Sequence, residues 1–289
     1  MGVHAGSMED VMGKLHDRME EDLQLGGYSP KTREVYLFHA RKLAAHFGRS
    51  PEVMGDAEVR AYMLHLVQER KVSDATYRQV RAALRFLFRQ TLGRPLDVEW
   101  LPVRRPKRRL PAILGREEVQ GILGAVRDPM CRAIFTVMYA SGLRILEACR
   151  LRPGDVDSKR MALMVRNGKG GVDRITLLSP RLLEDLRNYW RACHPSGEWL
   201  FPGKSPKGHA SPDTVRQAFH KALSEAGVGK RVTPHSLRHA FATHLIESGT
   251  DVTVVQALMG HRSMKATLVY THLSTAHLTG TRSPLDQLG

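Results

Sequence analysis

The segment Arg104 to Pro111, "RRPKRRLP", most constrains what this chain can fold into. Five of its first six residues are basic and it carries two prolines. Proline removes a backbone donor and clashes with the preceding turn, so the stretch resists helix formation and reads as a linker. A chain of 289 residues is long enough for two domains, each burying its own core. The linker therefore divides it into an N-terminal block over residues 1–103, a basic connection over 104–112 and a second lobe over 113–289. A solvated hinge and a segment lying along a nucleic-acid backbone are both open for Arg104, Arg105, Lys107, Arg108 and Arg109.

Charge is distributed unevenly about this division. Residues 1–100 hold 15 basic and 14 acidic side chains, and residues 101–289 hold 29 and 15, so nearly all of the +15 net charge lies in the later part. Such an excess favours a polyanionic partner, most often nucleic acid. No apolar run approaches the ~18 residues of a membrane span. The first 22 residues contain no apolar segment of the kind that leads a secreted chain. Three widely spaced cysteines, Cys131, Cys149 and Cys193, suggest neither a disulfide framework nor a zinc knuckle. A reducing, cytoplasmic location is the expectation.

The N-terminal block reads as all helical. Residues 1–27, with six acids against Lys14 and Arg18, form a short helix. Ser29-Pro30 starts another to about Phe47, a third covers Ala57 to Glu69, and Asp74 opens a fourth that Gly93 closes. In this fourth helix Tyr77, Val80, Leu84, Leu87 and Phe88 make an apolar stripe. Arg78, Arg81, Arg85 and Arg89 recur at steps of 3, 4 and 4, and at about 100° per residue fall within roughly 80° of one another. No acid interrupts them, which favours a phosphate-facing helix over a merely solvated face.

In the second lobe, "GREEVQGILGAV" and "PMCRAIFTVMYASG" read as helices, the latter stopped by Gly142. "ALMVRN" and "RITLL" read as two short strands around a glycine-rich turn. Helices resume near Arg181. Thr233 as N-cap and Pro234 start a helix ended by Gly249, Asp251 caps one ended by Gly260, and Ser263 caps a last one bearing Tyr270.

The stretch "HSLRHAFATHL" places His235 and Arg238 on one face near a helix start. Zinc fits poorly: His235 and His239 have the spacing of two ligands, but Ser236 stands where a catalytic glutamate would, Arg238 would repel a cation, and no acid lies between Glu225 and Glu247. An anion fits better, because free N–H groups and the helix dipole favour negative charge there, and a guanidinium matches phosphate oxygens in bidentate fashion. Arg144 before apolar Ile145-Leu146, Lys169 in the glycine-rich turn, His261 after Gly260 and Tyr270 are further candidates. For each, an ordinary structural role competes: a helix-end salt bridge, a solvated turn lysine, a packing histidine, a half-buried aromatic. His239, His244 and His272 read as packing or surface residues.

Four blocks, "ASGLRILEACRL", "GKGGVDRITLL", "TPHSLRHAFATHLIESG" and "VQALMGHRSMKATLVYTHL", resemble in order and spacing the motifs of the tyrosine recombinases, or phage integrases. "YSPKTREVYLFHARKLAAHFG" resembles the helical core-binding domain of that family, so the likeness runs over about residues 10 to 285. It implies a mainly α fold: an N-terminal SAM-like core-binding domain and a mostly helical catalytic domain with a small antiparallel β-sheet, closing as a C-shaped clamp on DNA. It also implies that Tyr270 attacks a scissile phosphate to give a 3′-phosphotyrosyl bond, with Arg144 and Arg238 on the non-bridging oxygens. Lys169 would protonate the leaving oxygen, His235 would assist proton transfer, His261 would hydrogen-bond the phosphate and Glu147 would orient the site by hydrogen bonding. A phenol of pKa near 10 needs such neighbours. The covalent bond conserves phosphoester energy, so no ATP, metal or other cofactor is expected. The implied partners are double-stranded DNA with a recombination site and three further protomers.

The chain is similar to integron integrases and to Xer-like members. The separation of 66 positions from Lys169 to His235 leaves no room for the helical insertion of integron integrases, which favours a stand-alone integrase or a Xer-like resolvase. A type IB topoisomerase-like enzyme and a non-catalytic DNA-binding regulator are the alternatives.

Overall fold

The computed structural model describes residues 8–94, 112–166, 173–205 and 208–260. The basic linker residues Arg104, Arg105, Lys107, Arg108 and Arg109 lie outside them, as do Lys169, His261, Tyr270 and His272. The chain divides into two compact units, Met1–Arg108 and Arg109–Gly289.

The first unit is built from α1 (Met8–Leu25), α2 (Pro30–Phe47), α3 (Asp56–Gln68) and α4 (Asp74–Phe86). Each start has a chemical cause. The Ser29 hydroxyl accepts the Thr32 N–H at 3.3 Å ahead of Pro30. Glu58 reaches back to accept the Gly55 N–H at 2.9 Å. Ser73, one residue before the expected Asp74, accepts the Thr76 N–H at 3.1 Å, leaving Asp74 in the first turn, where a carboxylate complements the helix dipole. The apolar stripe of α4 is buried with Leu15, Met19, Leu23, Leu43 and Met63 in one core.

The fourth helix is not α-helical to its end. From Leu87 to Thr91 it widens into a π-turn, and the Leu92 N–H reaches back five residues to the Leu87 carbonyl at 2.9 Å. The wider turn keeps Leu87, Phe88 and Thr91 all buried. Gly93, at φ 64°, ends it. Arg78, Arg85 and Arg89 are exposed and Arg81 is half-buried; Arg78 Nε donates to the Asp74 carbonyl at 3.2 Å.

The second unit has α5 (Arg116–Ala125), α6 (Pro129–Ser141), α7 (Ile145–Cys149), three strands, then α8 (Pro180–Cys193), α9 (Pro212–Glu225), α10 (His235–Glu247) and α11 (Val252–Met259). The strands β1 (Val156–Asp157), β2 (Ala162–Val165) and β3 (Arg174–Leu177) form an antiparallel sheet in sequence order, with Val165 opposite Arg174 and Ala162 opposite Leu177. The two-residue β1 was not expected, being too short to show alternation. Helix α6 is the central element: Ile134, Phe135, Val137 and Met138 are fully buried, and α8 and α10 pack against it. A helix apolar this far round its circumference belongs inside a core. Among the described residues no helix is long and apolar enough to cross a membrane.

Helix α10 begins differently from the Thr233 cap expected. Pro234 already has helical backbone angles, and Ser236 closes the turn: its hydroxyl accepts the Thr233 N–H at 3.2 Å and its own N–H donates to the Thr233 carbonyl at 2.8 Å.

Gly142 ends α6 at φ 64°, and a Cβ there would lie 2.5 Å from the Phe241 ring on α10. Gly142→Ala therefore carries both a left-handed backbone and a clash. It should destabilise the protein by on the order of 2–3 kcal/mol, seen as a clear fall in Tm, whereas Gly154→Ala, with open space around it, should change Tm little.

Candidate active site

The site starts at the end of α6. The left-handed Gly142 turns the chain, fully buried Leu143 anchors it, and Arg144 takes the N-cap position of α7 with extended backbone. Glu147, one turn on, folds back: its Oε2 accepts the Arg144 N–H at 2.8 Å and its Oε1 accepts Arg144 Nη1 at 2.7 Å. Arg174, the first residue of β3, grips both oxygens of the same carboxylate, Nη1 to Oε1 at 3.0 Å and Nη2 to Oε2 at 2.8 Å. Arg238, in the first turn of α10, comes within 3.7 Å of Glu147 Oε2. Three guanidinium groups from α7, β3 and α10 thus surround one carboxylate.

Arg238 is almost wholly buried, its side chain 2% exposed. Its Nη1 donates to the Gly142 carbonyl and its Nη2 to the Met259 carbonyl at 2.5 Å. Those carbonyls end α6 and α11, where helices leave acceptors unsatisfied and the dipole is negative. Hydrogen bonds of this kind make a buried guanidinium tolerable. Arg144 is more open, with 22% of its side chain exposed.

Glu147 titrates far from its ordinary value. Burial pushes its pKa up, but the Arg174 hydrogen bonds, the Arg144 N–H, the Arg174 charge and the Arg144 side-chain hydrogen bond outweigh that and hold it at about 2. Three positive groups against one carboxylate leave an excess of two charges, the electrostatic demand an anion would meet.

His235 lies on the same face of α10, three residues before Arg238. The residue is exposed to solvent. Desolvation lowers its pKa below 6.5, and Arg238 and Arg144 lower it further. His239 packs edge-on against it at 5.4 Å, and burial first, then His235 and Arg238, bring its pKa to about 4. Both rings are neutral at pH 7, so His235 is able to take up a proton. His244 is buried, with Nδ1 3.0 Å from the Tyr139 hydroxyl. Among the described residues no three His, Cys, Asp or Glu side chains gather as metal ligands would.

Of the residues singled out from sequence, the fold brings Arg144, Glu147, His235 and Arg238 together. Lys169, His261 and Tyr270 lie outside the described residues. Arg78, Arg81, Arg85 and Arg89 are on α4 and its π-turn in the other unit. Sequence reasoning missed Arg174; the only hint was a basic residue opening a strand immediately after the glycine-rich turn. A groove of about 860 Å³ between α5, α6 and α8, lined by Leu123, Arg132, Tyr139 and Tyr189 among others, contains none of the four gathered residues.

Residues 113–277 match the phage integrase family and residues 15–98 match the phage integrase N-terminal SAM-like domain. The chain therefore belongs to the phage integrase family, the tyrosine recombinases, and is an enzyme of that class. It is 45% identical over 281 residues to y4qK of Sinorhizobium fredii (strain NBRC 101917 / NGR234), which bears an integrase/recombinase name, covering 97% of this chain and 91% of that one. It is 34% identical to the tyrosine recombinase XerA of Thermococcus onnurineus (strain NA1), covering 93% and 94%. Among solved structures it resembles a lambda integrase dimer bound to a COC′ core site, at TM-score 0.72 and 21% identity over 89% of this chain and 94% of that one, a likeness of fold.

Because the folded pKa of Glu147 is depressed, its ionisation stabilises the fold above about pH 4.5, and this contribution disappears as pH falls towards 2. Glu147→Gln should cost on the order of 3 kcal/mol at pH 7. Denaturant unfolding from pH 7 to pH 3 should show the difference from wild type shrinking below pH 4.5; a constant difference would contradict the assigned ionisation.

Proposed function

We propose that this chain cuts and rejoins DNA at specific sites through a 3′-phosphotyrosyl intermediate on Tyr270. The observation that carries the reading is the convergence of Arg144, Glu147, His235 and Arg238, from two regions nearly a hundred residues apart, into one cluster with surplus positive charge. A single phosphodiester brings one negative charge and gains a second as the phosphorus becomes five-coordinate, which meets that excess and the forked donors of arginine. Arg144 and Arg238 offset charge growing on the non-bridging oxygens as the phosphorus becomes five-coordinate.

The steps balance. The Tyr270 oxygen attacks phosphorus, its proton passing to neutral His235. The bond from phosphorus to the 5′-oxygen breaks, and Lys169 supplies that oxygen with a proton. A 5′-hydroxyl from the partner duplex then reverses the sequence, so each bond broken is replaced by one of the same type and no energy source is consumed. His261 contributes a hydrogen bond to the phosphate. Neither metal nor nucleotide cofactor takes part. The substrate is double-stranded DNA in the cytoplasm, the working unit is four protomers on two sites, and the role is that of a mobile-element integrase or a Xer-like resolvase. Residues 1–103 serve as the core-binding domain, 113–289 as the catalytic domain, and the arginines of the linker contact the backbone.

A nicked duplex that loses a short fragment after cleavage traps the covalent adduct. Wild type incubated with such a substrate from the DNA flanking its gene should form a protein–DNA band resistant to SDS. Tyr270→Phe should form none, and Arg144→Ala should lose at least about 100-fold in rate. An adduct with Tyr270→Phe would remove Tyr270 as nucleophile. Relaxation of a plasmid carrying no recombination site would instead indicate topoisomerase activity.

The arginines of the fourth helix make a separate prediction. Replacing Arg78, Arg81, Arg85 and Arg89 with Gln should weaken DNA binding and reduce the log–log salt slope by about 0.9 for each phosphate left without its arginine. An unchanged slope would remove that helix from the interface.

A further inference from the structure

Arg174 is the one member of the cluster that the four sequence blocks did not single out as a site residue, and it donates three hydrogen bonds there. It takes both oxygens of Glu147 and, through Nε, the Leu258 carbonyl near the end of α11 at 3.1 Å. With 10% of its side chain exposed it is too enclosed to be an open anion receptor. Its chain position matters as well. It opens β3, five residues after Lys169, and it bonds the helix end from which His261 follows. Gly260 records the closeness: a Cβ there would lie 2.7 Å from Arg174 Cδ.

Without Arg174, the Glu147 carboxylate would have Arg144 and Arg238 as its nearest cations and would draw both guanidinium groups onto itself. With both oxygens held by a planar fork, Glu147 is fixed in place. It keeps one bond to the Arg144 backbone and one to Nη1. Arg144 Nε and Nη2 have no hydrogen-bond partner among the described residues. Those are the donors an incoming anion would need.

We propose that Arg174 is a positioning residue for strand cleavage: it immobilises Glu147 so that Arg144 presents its remaining donors to the scissile phosphate, and it ties β3 to the end of α11. The inference rests on the recombinase reading above and assigns Arg174 no contact with DNA. Lysine cannot replace it fully, because an ammonium group lacks the fork that spans both carboxylate oxygens.

The test uses full-length protein with Arg174→Lys and Arg174→Met, thermal unfolding to select conditions in which each is folded, and single-turnover cleavage of the nicked duplex. Arg174→Met should cleave about 10–100-fold more slowly, as when a partner that orients a functional group is removed, with duplex Kd essentially unchanged and Arg174→Lys intermediate. Glu147→Gln combined with Arg174→Met should be no slower than Glu147→Gln alone, since both act on Arg144. A duplex with methylphosphonate at the cleaved position lacks the negative charge that Arg144 offsets, so on it the Arg174→Met loss should shrink to about threefold or less. Equal losses on the two substrates, additive losses in the double variant, or an unaffected Arg174→Met beside an active wild type would each overturn the inference. If Arg174→Met does not fold, Arg174→Lys decides by the same comparison of substrates. A wild type that forms no adduct would overturn the recombinase reading and this inference with it.

Discussion

One carboxylate holds the candidate site together. Three guanidinium groups as close as those of Arg144, Arg174 and Arg238 would repel one another by several kcal/mol per pair even at an effective dielectric of about 20. Glu147, buried among them and ionised down to about pH 2, makes their proximity possible. A second carboxylate would halve the excess to a single charge and weaken the attraction for an anion. None at all would scatter the arginines. With one, the groups stay together and an excess of charge remains for a phosphate to meet.

The backbone is shaped around the same point. Arg238 donates to carbonyls at the ends of α6 and α11, so the side chain that completes the cluster also closes two helices. Both helices end in left-handed glycines, Gly142 and Gly260, and each faces a side chain with no room for a Cβ: the Phe241 ring at one and Arg174 at the other. The arginine in "HSLRHAFATHL" is therefore structural, and in the proposed reaction it is functional as well. Its burial lets it span two helix ends, and its charge is what the proposed phosphate would meet. His235, one turn earlier, has its pKa lowered by desolvation and by Arg238 and Arg144, which suits the proton-accepting role proposed for it.

Much of this is legible in the amino-acid sequence alone. The serine caps Ser29 and Ser179 act locally, on an N–H three residues away, so helix starts showed in the sequence to within a residue or two. Gly142 and Gly260 showed as helix stops, and the stripe from Tyr77 to Phe88 showed as a buried face. Arg144 and Arg238 were legible as a charge set among apolar residues. What was hidden depended on partners distant in the chain. Arg174 acts on Glu147, 27 residues away, and on Leu258, 84 residues away. The alternation of a four-residue strand says nothing of either. The π-turn at Leu87 came from packing that keeps Thr91 buried beside Phe88, which the 3.6-residue period does not encode. At α10, Ser236 displaced Thr233 as the capping group because Pro234 had already entered helical geometry.

The central claim is that Arg144 and Arg238 face one and the same phosphate, the one that is cut. Photo-crosslinking tests it most directly. An aryl azide is attached through a phosphorothioate at the cleaved position of the duplex, bound to Tyr270→Phe protein and irradiated, and the labelled peptides are identified by mass spectrometry. Labels on the peptides holding Arg144 and Arg238, absent when the azide is moved five phosphates away, are the predicted result. Labels confined to peptides outside 140–151 and 233–249 would contradict it.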